Sequence, residues 1–282
     1  MATAAEVAQA SYGRLVMQAL ILAAGIGSRL QMGLPKCLVE VGGRRLLDHQ
    51  LDAIEQAGAE RITLVLGYQH QRVEDAAGGR AEVVLNERYA ETNSLYSLWL
   101  ARHAVEGAVE GAVGADLLVL NSDVLFAPEL LRDLLAVGGS AIAVDSSSGD
   151  QDEHMKIRQR QGRLARIGKD LLPMYSHGES IGVVHLSALA VRAGFAAAES
   201  LIGRGRENDW AATALNDVVG RHRVSCLDVA GQPWVEIDFP EDLDRARNHI
   251  WPAIAALEAQ RGSADRIWST SVESEEMREV GT

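Results

Sequence analysis

The stretch Leu22-Ala23-Ala24-Gly25-Ile26-Gly27-Ser28-Arg29-Leu30, followed closely by Pro35-Lys36-Cys37-Leu38, is the most informative part of the chain. Its glycines allow the backbone to approach a polyphosphate, whose oxygens the N–H groups of the loop bind. Arg29 and Lys36 supply the fixed positive charge that such an anion requires. The stretch therefore predicts a triphosphate-binding loop at the end of a strand.

A dinucleotide-binding turn is the alternative interpretation of this glycine loop. That fingerprint requires a third glycine where this chain has Leu30, and Pro35-Lys36 has no place in it. The P-loop pattern is absent from the sequence as well. The spacing favours a different kind of phosphate site.

Strands and helices alternate outward from this loop. The continuous apolar run 19–22 is typical of a strand covered on both faces, and Leu47, Leu51, Ile54 and the following Gly58 predict a helix. The alternation continues with strands at 62–66, 83–85, 117–120 and 141–144 and with helices over 95–105 and from Pro128. This rhythm predicts an α/β fold with a Rossmann-like, mostly parallel sheet and helices on both faces.

The regular alternation of strands and helices ends in the second half of the chain. A hairpin is predicted around Gln161-Gly162, with two further helices near 187–198 and 208–219. We interpret this part as a small β-hairpin and helical region that binds a second small molecule, which is called the acceptor below. The strand 234–237 and a helix from Pro240 then close the domain.

These boundaries predict one domain over residues 17–251. Residues 1–16 form an Ala-rich N-terminal extension that we expect to be flexible. Residues 252–282 form a C-terminal tail that is either a short docking helix or disordered.

Composition restricts the class of partner. The chain has 282 residues, 47% of them hydrophobic, and a net charge of −12, which repels nucleic acid polymers and anionic membranes. Its two cysteines lie far apart without metal-ligand spacing, and no apolar run reaches the length of a membrane span. We expect a cytoplasmic protein that acts on small molecules, with homo-oligomerisation left open.

Two aspartates follow predicted strands. Asp123 ends the run 117–120, and Asp238 comes directly after the strand 234–237. Ligands bind at the carboxyl ends of strands in open α/β sheets, so the two carboxylates could meet at one Mg²⁺ that bridges phosphate oxygens. Taken singly, each aspartate could instead form a turn or start a helix.

The glycine stretch resembles the signature of the nucleotidyltransferase superfamily that includes sugar-phosphate and phosphocholine nucleotidylyltransferases. Within that superfamily, the segments 35–43, 67–69, 93–98 and 236–238 resemble cytidylyltransferases acting on phosphocholine or small phosphonates. The similarity extends over roughly residues 18 to 250.

The resemblance implies roles for individual residues. Lys36 would hold the α-phosphate, Arg29 the β- and γ-phosphates, and Asp123 with Asp238 the Mg²⁺ cofactor. The implied nucleotide-binding residues are Leu22, Ala23, Ala24, Gly25, Gly27, Ser28, Tyr68, Gln69, Asn93, Ser94 and Asp123.

The acceptor site is implied by four weaker matches, namely Asp145, Lys156, Glu179 and Trp210, with Lys156 gripping the acceptor's phosphate or phosphonate. A solvated hairpin lysine, a core tryptophan and ordinary loop acids are equally good explanations of these residues.

The predicted activity is transfer of CMP from CTP to a small phosphonate or phosphocholine-like acceptor, with release of pyrophosphate. The alternatives are a sugar-1-phosphate nucleotidylyltransferase and a nucleotide-sensing regulatory domain. The segment 178–182 also matches the G-x-S-x-G pattern of serine hydrolases. Its serine lacks the preceding strand and following helix that a nucleophile elbow needs.

Overall fold

The computed structural model describes residues 16–106, 114–148 and 152–261. The strands are β1 Met17–Ala23, β2 Glu40–Val41, β3 Arg44–Arg45, β4 Arg61–Leu66, β5 Glu82–Leu85, β6 Asp116–Asn121, β7 Val124–Phe126, β8 Ser140–Asp145, β9 Lys156–Arg160, β10 Arg163–Gly168, β11 Glu179–Leu186, β12 Val224–Asp228 and β13 Trp234–Glu236. The helices are α1 Leu46–Gln56, α2 His70–Ala77, α3 Ser94–Glu106, α4 Glu129–Ala136, α5 Ala188–Ile202, α6 Leu215–Val218 and α7 Pro240–Arg245.

A nine-stranded sheet forms the centre of the molecule, in the order β5-β4-β1-β6-β11-β8-β12-β10-β9. Only β11 and β10, among the strands described, are antiparallel to both of their neighbours in this order. The remaining strands run in one direction. The predicted α/β fold with a mostly parallel sheet is therefore confirmed.

Each face of the sheet is covered by its own helices. Along β1, Ala19 and Ile21 pack into a core with α1, α2 and α4, whereas Leu20 and Leu22 pack into a second core with α3, α5 and α6. Successive strand side chains point to opposite faces, so a strand buried on both sides must be apolar throughout. This explains the unbroken apolar run at 19–22.

The strand predicted at 234–237 forms, but outside the central sheet. β13 pairs with β7 in a separate two-stranded sheet. In β13 only Val235 is buried, while Trp234 and Glu236 are half-buried. That alternation is typical of a strand with one covered face, and it distinguishes β13 from the continuous apolar strands of the centre.

The hairpin predicted at Gln161-Gly162 connects β9 and β10. Gln161 has φ 52° and Gly162 φ 71°, as a two-residue turn with both central residues left-handed requires. The predicted helices near 187–198 and 208–219 correspond to α5 and to a 3₁₀ turn, Ala211–Ala214, that leads into α6.

The helical C-terminal segment runs from Pro240 to residue 261, with a π-helical turn over Ala246–Ile250. It passes through residue 251, the predicted end of the domain, and Ile254 beyond that point is buried. Residues 1–15 of the predicted extension and 262–282 of the predicted tail lie outside the described residues. Within the described ranges, no helix combines the length and apolarity needed to cross a membrane.

Candidate active site

The glycine loop leaves β1 and turns back onto Lys36. Gly27 has φ 66°, and a Cβ at that position would lie 2.8 Å from the Lys36 Cγ atom. Glycine is thus required there by both backbone conformation and contact. At Gly25, by contrast, no heavy atom lies within 4 Å of where a Cβ would stand. The loop therefore presents an open backbone surface beside a tightly packed lysine.

Lys36 begins a short 3₁₀ turn, Lys36–Leu38, that is anchored by the buried side chain of Cys37. Its Nζ atom lies 2.8 Å from Asp123 Oδ2 and also contacts Asp238 Oδ1. Burial acts to lower the pKa of this ammonium group, but the two carboxylates outweigh burial and raise the pKa above its usual value. Lys36 is therefore a permanent cation held between two acids.

Backbone pairing brings Asp123 and Asp238 together. Asp123 immediately precedes β7, and β13 pairs antiparallel with β7 so that Glu236 lies opposite Val124. The Ile237 N–H also donates to the Asp123 carbonyl at 2.9 Å. The two-stranded sheet thereby places side chains that are more than a hundred residues apart in sequence at one point.

The side chain of Asp242 fixes the backbone at Asp238. Its Oδ2 atom accepts hydrogen bonds from the N–H groups of Asp238 at 3.1 Å and Phe239 at 2.9 Å, at the start of α7. A carboxylate in this place satisfies N–H groups that the helix leaves unpaired. The orientation of Asp238 is therefore set by the beginning of the helix.

Glu236 is a third carboxylate of the site, to which the sequence analysis assigned no role. Ligand oxygens of Asp123, Glu236 and Asp238, together called the acidic trio, lie within 4.8 Å of one another. The signal for Glu236 was available: residues two apart on a strand share a face, and Asp238 follows it by two. Burial and the negative charges of Asp123 and Asp238 raise the pKa of Glu236 to about 8.

The acidic trio is suited to a magnesium ion. Mg²⁺ prefers carboxylate oxygens, and a cation would relieve the repulsion that raises the Glu236 pKa. Asp123 Oδ1 is buried and accepts no hydrogen bond from any described residue, so one oxygen of the trio lacks a protein partner. These features fit the predicted metal ligands Asp123 and Asp238 and add Glu236 to them.

Arg29 extends from the glycine loop to Asp238, one of these three carboxylates. Its Nη1 atom lies 3.0 Å from Asp238 Oδ2 and 3.4 Å from Glu153 Oε2, and its guanidinium lies 5.5 Å from the centre of the Phe239 ring. Nearly half of the side chain, 47%, remains exposed. Arg29 is thus available to an anion entering from solvent.

A cavity of about 480 Å³ opens beside these groups. Most of the predicted nucleotide-binding residues line it, namely Leu22, Ala23, Ala24, Gly25, Gly27, Ser28, Asn93, Ser94 and Asp123, together with Arg29, Lys36 and Asp238. A cavity of several hundred Å³ is typical of a small-molecule site. The residues named from the glycine stretch therefore surround one space.

Tyr68 and Gln69 are the predicted nucleotide-binding residues that do not line the cavity. Gln69 adopts φ 49° and donates a side-chain hydrogen bond to the Gly33 carbonyl at 3.0 Å. The ring of Tyr68 lies 6.3 Å from that of Tyr89, which does line the cavity. Both residues thus contact the loops next to the cavity.

Trp210 is the one predicted acceptor residue that lines the cavity, and Lys169 lies beside it. The Lys169 Nζ atom lies 4.9 Å from the centre of the Trp210 ring and 3.3 Å from Glu153 Oε2. Neither Lys169 nor Glu153 was identified from the sequence, because a lysine after a hairpin strand and an acid in a loop carry no pattern of their own.

Asp145, Lys156 and Glu179 lie together on the sheet, since Glu179 is paired with Asp145 on β8 and with Lys156 on β9. None of the three lines the cavity, and Lys156 is only 1% exposed. Asp145 Oδ2 accepts a hydrogen bond from Trp234 Nε1 at 2.8 Å. Burial raises the pKa of Glu179, although Ser148 and His154 bind its carboxylate. Direct acceptor contact by these three residues stays a prediction.

The G-x-S-x-G segment does not form a nucleophile elbow. Ser180 lies inside β11, and Gly182 has φ 77° at an irregularity in the pairing of that strand. A Cβ at residue 182 would lie 2.6 Å from Asn121 Nδ2. The second glycine therefore makes room for a neighbouring side chain, and the hydrolase alternative loses its structural basis.

Comparison with known proteins identifies curated relatives of this chain. The chain is 32% identical over 241 residues to a bifunctional IPC transferase and DIPP synthase from Rubrobacter xylanophilus, covering 82% of this chain and 51% of that protein. It is 29% identical over 255 residues to a CMP-5'-(3-aminopropyl)phosphonate synthase from Streptomyces rubellomurinus, covering 82% of this chain and 38% of that protein. The chain thus spans about half the length, or less, of these curated relatives.

The fold also matches a solved structure, that of CTP:phosphocholine cytidylyltransferase from Streptococcus pneumoniae, with a TM-score of 0.66 and 20% identity. The match covers 82% of this chain and 97% of that structure, and at this identity it shows a shared fold. The family model described as the MobA-like NTP transferase domain matches residues 19–269. The predicted nucleotidyltransferase resemblance is confirmed, and the chain belongs to the MobA-like NTP transferase family.

Proposed function

We propose that this protein transfers CMP from CTP to a small phosphonate or phosphorylated acceptor and releases pyrophosphate. The observation that carries the proposal is the placement of Lys36 between Asp123 and Asp238, at the edge of a cavity lined by the glycine loop. The relative named as a CMP-phosphonate synthase supports cytidine as the base and a phosphonate as the acceptor.

The reaction needs no general base. An acceptor oxygen that is ionised at neutral pH attacks the α-phosphorus of CTP in line, a new P–O bond forms, and the bond to the pyrophosphate oxygen breaks with its electron pair. Catalysis then consists of positioning and charge stabilisation. Lys36 faces the α-phosphate, and Arg29 binds the β- and γ-phosphates that leave.

The acidic trio would hold Mg²⁺ when the nucleotide binds. The ion would supply Lewis-acid stabilisation of phosphate oxygens. Glu236 on β13, Asp123 just before β7 and Asp238 just after β13 would hold the ion. Lys36 contacts two of these carboxylates and lines the cavity, where its ammonium group would bind a phosphate.

Lys169 is the best candidate for the cation that binds the acceptor, because it lies beside a cavity-lining tryptophan and lines the cavity itself. The face of Trp210 is already occupied by this ammonium group, so it is poorly placed to receive a quaternary ammonium group from phosphocholine. An anionic acceptor end is favoured instead. This arrangement supports a phosphonate over phosphocholine.

The experiment that tests the function follows pyrophosphate release with Mg²⁺, one of CTP, UTP, dTTP and ATP, and an acceptor panel. The panel contains 2-aminoethylphosphonate, a hydroxylated phosphonate, phosphocholine and a hexose-1-phosphate. We expect turnover with CTP and a phosphonate. Equal turnover with another triphosphate would overturn the cytidine assignment, and a clear preference for the hexose phosphate would establish the sugar-phosphate alternative.

A further inference from the structure

The cavity continues past the acidic trio into the core between the sheet and the helices α3, α5 and α6. We call this inner part the apolar channel. Its described walls are formed by Leu98, Leu117, Val119, Val184, Leu186, Val191, Gly194, Phe195, Ala211, Ala212, Ala214 and Leu215. None of these side chains carries a polar atom, in contrast to Ser94 and Ser97 of α3 and to Asn121, Ser180 and Lys169 at the mouth, which line the same cavity.

Strand geometry shows that the apolar channel follows one face of the sheet. The cavity is lined by alternate residues of β6, Leu117, Val119 and Asn121, and by the alternate residues 180, 182, 184 and 186 of β11. Alternate residues share a face, and four residues of a strand span roughly 13 Å. The space therefore runs from the polar edge of the sheet at Asn121 to an apolar end near Leu117.

The opposite wall consists of two helix faces. Ser94, Ser97 and Leu98 of α3 and Val191, Gly194 and Phe195 of α5 line the cavity, with the spacing i, i+3, i+4. Small residues line this wall at Gly194 and at the alanines of the turn Ala211–Ala214. A Cβ at residue 194 would be 3.8 Å from Leu186 Cδ1 and 3.9 Å from Val218 Cγ2, so one methyl group fits there in ordinary van der Waals contact.

The chemistry of the walls restricts what could occupy this space. Water needs two or more polar partners to remain in a cavity, and apolar cavities stay dry. A base or ribose would lose its hydrogen bonds among these side chains. An alkyl group would make van der Waals contacts with the apolar side chains that line the space.

We infer that the apolar channel binds the hydrocarbon chain of an amphiphilic acceptor, an alkylphosphonate or alkyl phosphate whose anionic end lies at the mouth near Lys169. The inference rests on the proposed function for the role of this ligand as acceptor. It differs from that proposal in requiring a substrate with a polar end and an extended apolar end, of roughly the length of the channel.

The test measures binding and turnover with methyl-, propyl- and hexylphosphonate, using the full chain. Calorimetry with each compound gives affinity without catalysis, and pyrophosphate release with CTP and Mg²⁺ gives kcat/KM. Each methylene buried in an apolar site should improve affinity about threefold to fourfold. Hexyl phosphate, compared with hexylphosphonate, distinguishes the two sources of the same anionic end.

Two variants narrow the channel, Ala212→Leu and Gly194→Ala. Ala212→Leu adds bulk to the channel wall, and the control Ala196→Leu makes the same change on the exposed side of α5. We expect Ala212→Leu to lower the hexyl-to-methyl ratio of kcat/KM at least about tenfold and Ala196→Leu to leave that ratio unchanged. Gly194→Ala adds one methyl group without a clash and should lower the ratio less. It keeps the test valid if the leucine variant does not fold.

Three outcomes separate the two proposals. Affinity that rises with chain length, and falls selectively in Ala212→Leu or Gly194→Ala, supports the channel. Turnover of methylphosphonate with no gain in affinity or kcat/KM for the hexyl compound overturns the channel but leaves the proposed function. A gain in affinity with no CTP consumption for any acceptor supports the channel as a ligand site and overturns the proposed function.

Discussion

Replacing Lys36 by methionine removes the positive charge beside the acidic trio while keeping a side chain of similar length. In the folded protein the Lys36 Nζ atom lies 2.8 Å from Asp123 and in contact with Asp238. The three side chains are 16%, 17% and 27% exposed. The substitution therefore leaves two largely buried carboxylates without their common cation.

We expect a loss of turnover and a loss of stability, and each has its own physical cause. Removing a cation directed at the transition state should lower kcat/KM by at least about a hundredfold. Breaking a fully buried ion pair costs about 3–5 kcal/mol of unfolding free energy, and the partial exposure here reduces this to about 1–3 kcal/mol in metal-free protein.

Magnesium separates the two effects. In the presence of Mg²⁺ the ion can replace Lys36 as the counter-charge of the acidic trio, so the melting temperature of Lys36→Met should recover while turnover does not. The measurements are Tm with EDTA or with Mg²⁺, and pyrophosphate release under the same conditions. Arg61→Met is the control, because Arg61 forms its ion pair with Glu82 at the start of β4, away from the cavity.

Near-normal turnover in a folded Lys36→Met protein would refute the catalytic role of this lysine. Loss of both turnover and stability that Mg²⁺ does not reverse would show that Lys36 acts mainly in folding. An equal loss of turnover in Arg61→Met would show that charge removal anywhere weakens the enzyme.

The remaining predictions concern the same loop and carboxylates. Asp123→Asn should raise the Mg²⁺ concentration needed for half-maximal turnover at least about tenfold, and an unchanged Mg²⁺ titration would remove Asp123 from the metal site. Gly27→Ala should lower both Tm and kcat/KM, because its methyl group would lie 2.8 Å from Lys36 Cγ and φ is 66°; intact values of both would contradict the steric argument. In EDTA the folded Glu236 pKa of about 8 lies above the usual 4.5, so the free energy of unfolding should fall as pH rises through that window. Tm measured at about pH 5 and about pH 8.5 should show this fall in wild type but not in Glu236→Gln, and equal slopes would assign the effect to other groups.

Local sequence patterns predicted the nucleotide side of the site, formed by the glycine loop and Asp123. A glycine loop after a doubly buried strand has few other uses, and the alternation of apolar runs predicted the sheet into which that strand fits. Asp123 follows a buried strand and therefore lies at the sheet edge where ligands bind. The structure brings Asp123 to within 2.8 Å of Lys36 without any local signal linking the two.

The acceptor side was harder to predict, because its residues are placed by strand pairing between distant segments. Lys156 and Lys169 flank one hairpin, and sequence alone does not say which of them faces the cavity. The structure buries Lys156 and places Lys169 on the cavity wall. Similarly, β13 was predicted as a strand, but its partner β7 is three residues long and has no recognisable pattern of its own.

The apolar channel could not be predicted at all, since it depends on space that is left unfilled and not on residues that are present. Leu98, Phe195 and Leu215 read as ordinary core positions in the sequence, and each is at most 9% exposed. The cavity is visible only in the packing of α3 and α5 against one face of the sheet, where small residues such as Gly194 leave the space between these elements unfilled. A sequence pattern fixes the side chains that point inward, whereas a void depends on how far apart their backbones lie.

Charge balance at the site suggests why Lys36 and Arg29 both contact Asp238. Burial raises the pKa of Glu236, the negative charges of Asp123 and Asp238 raise it further, and the positive charge of Lys36 offsets only part of this effect. If a triphosphate arrived with Mg²⁺, Asp123, Glu236 and Asp238 would hold the ion, and Lys36 and Arg29 would bind the phosphates instead of the carboxylates. Because Lys36 is only 16% exposed and would pass from one negatively charged partner to another, little further desolvation of this ammonium group would be needed during binding. We therefore expect nucleotide binding to be weak without the metal, since the cations would have to leave carboxylates that gain nothing in return.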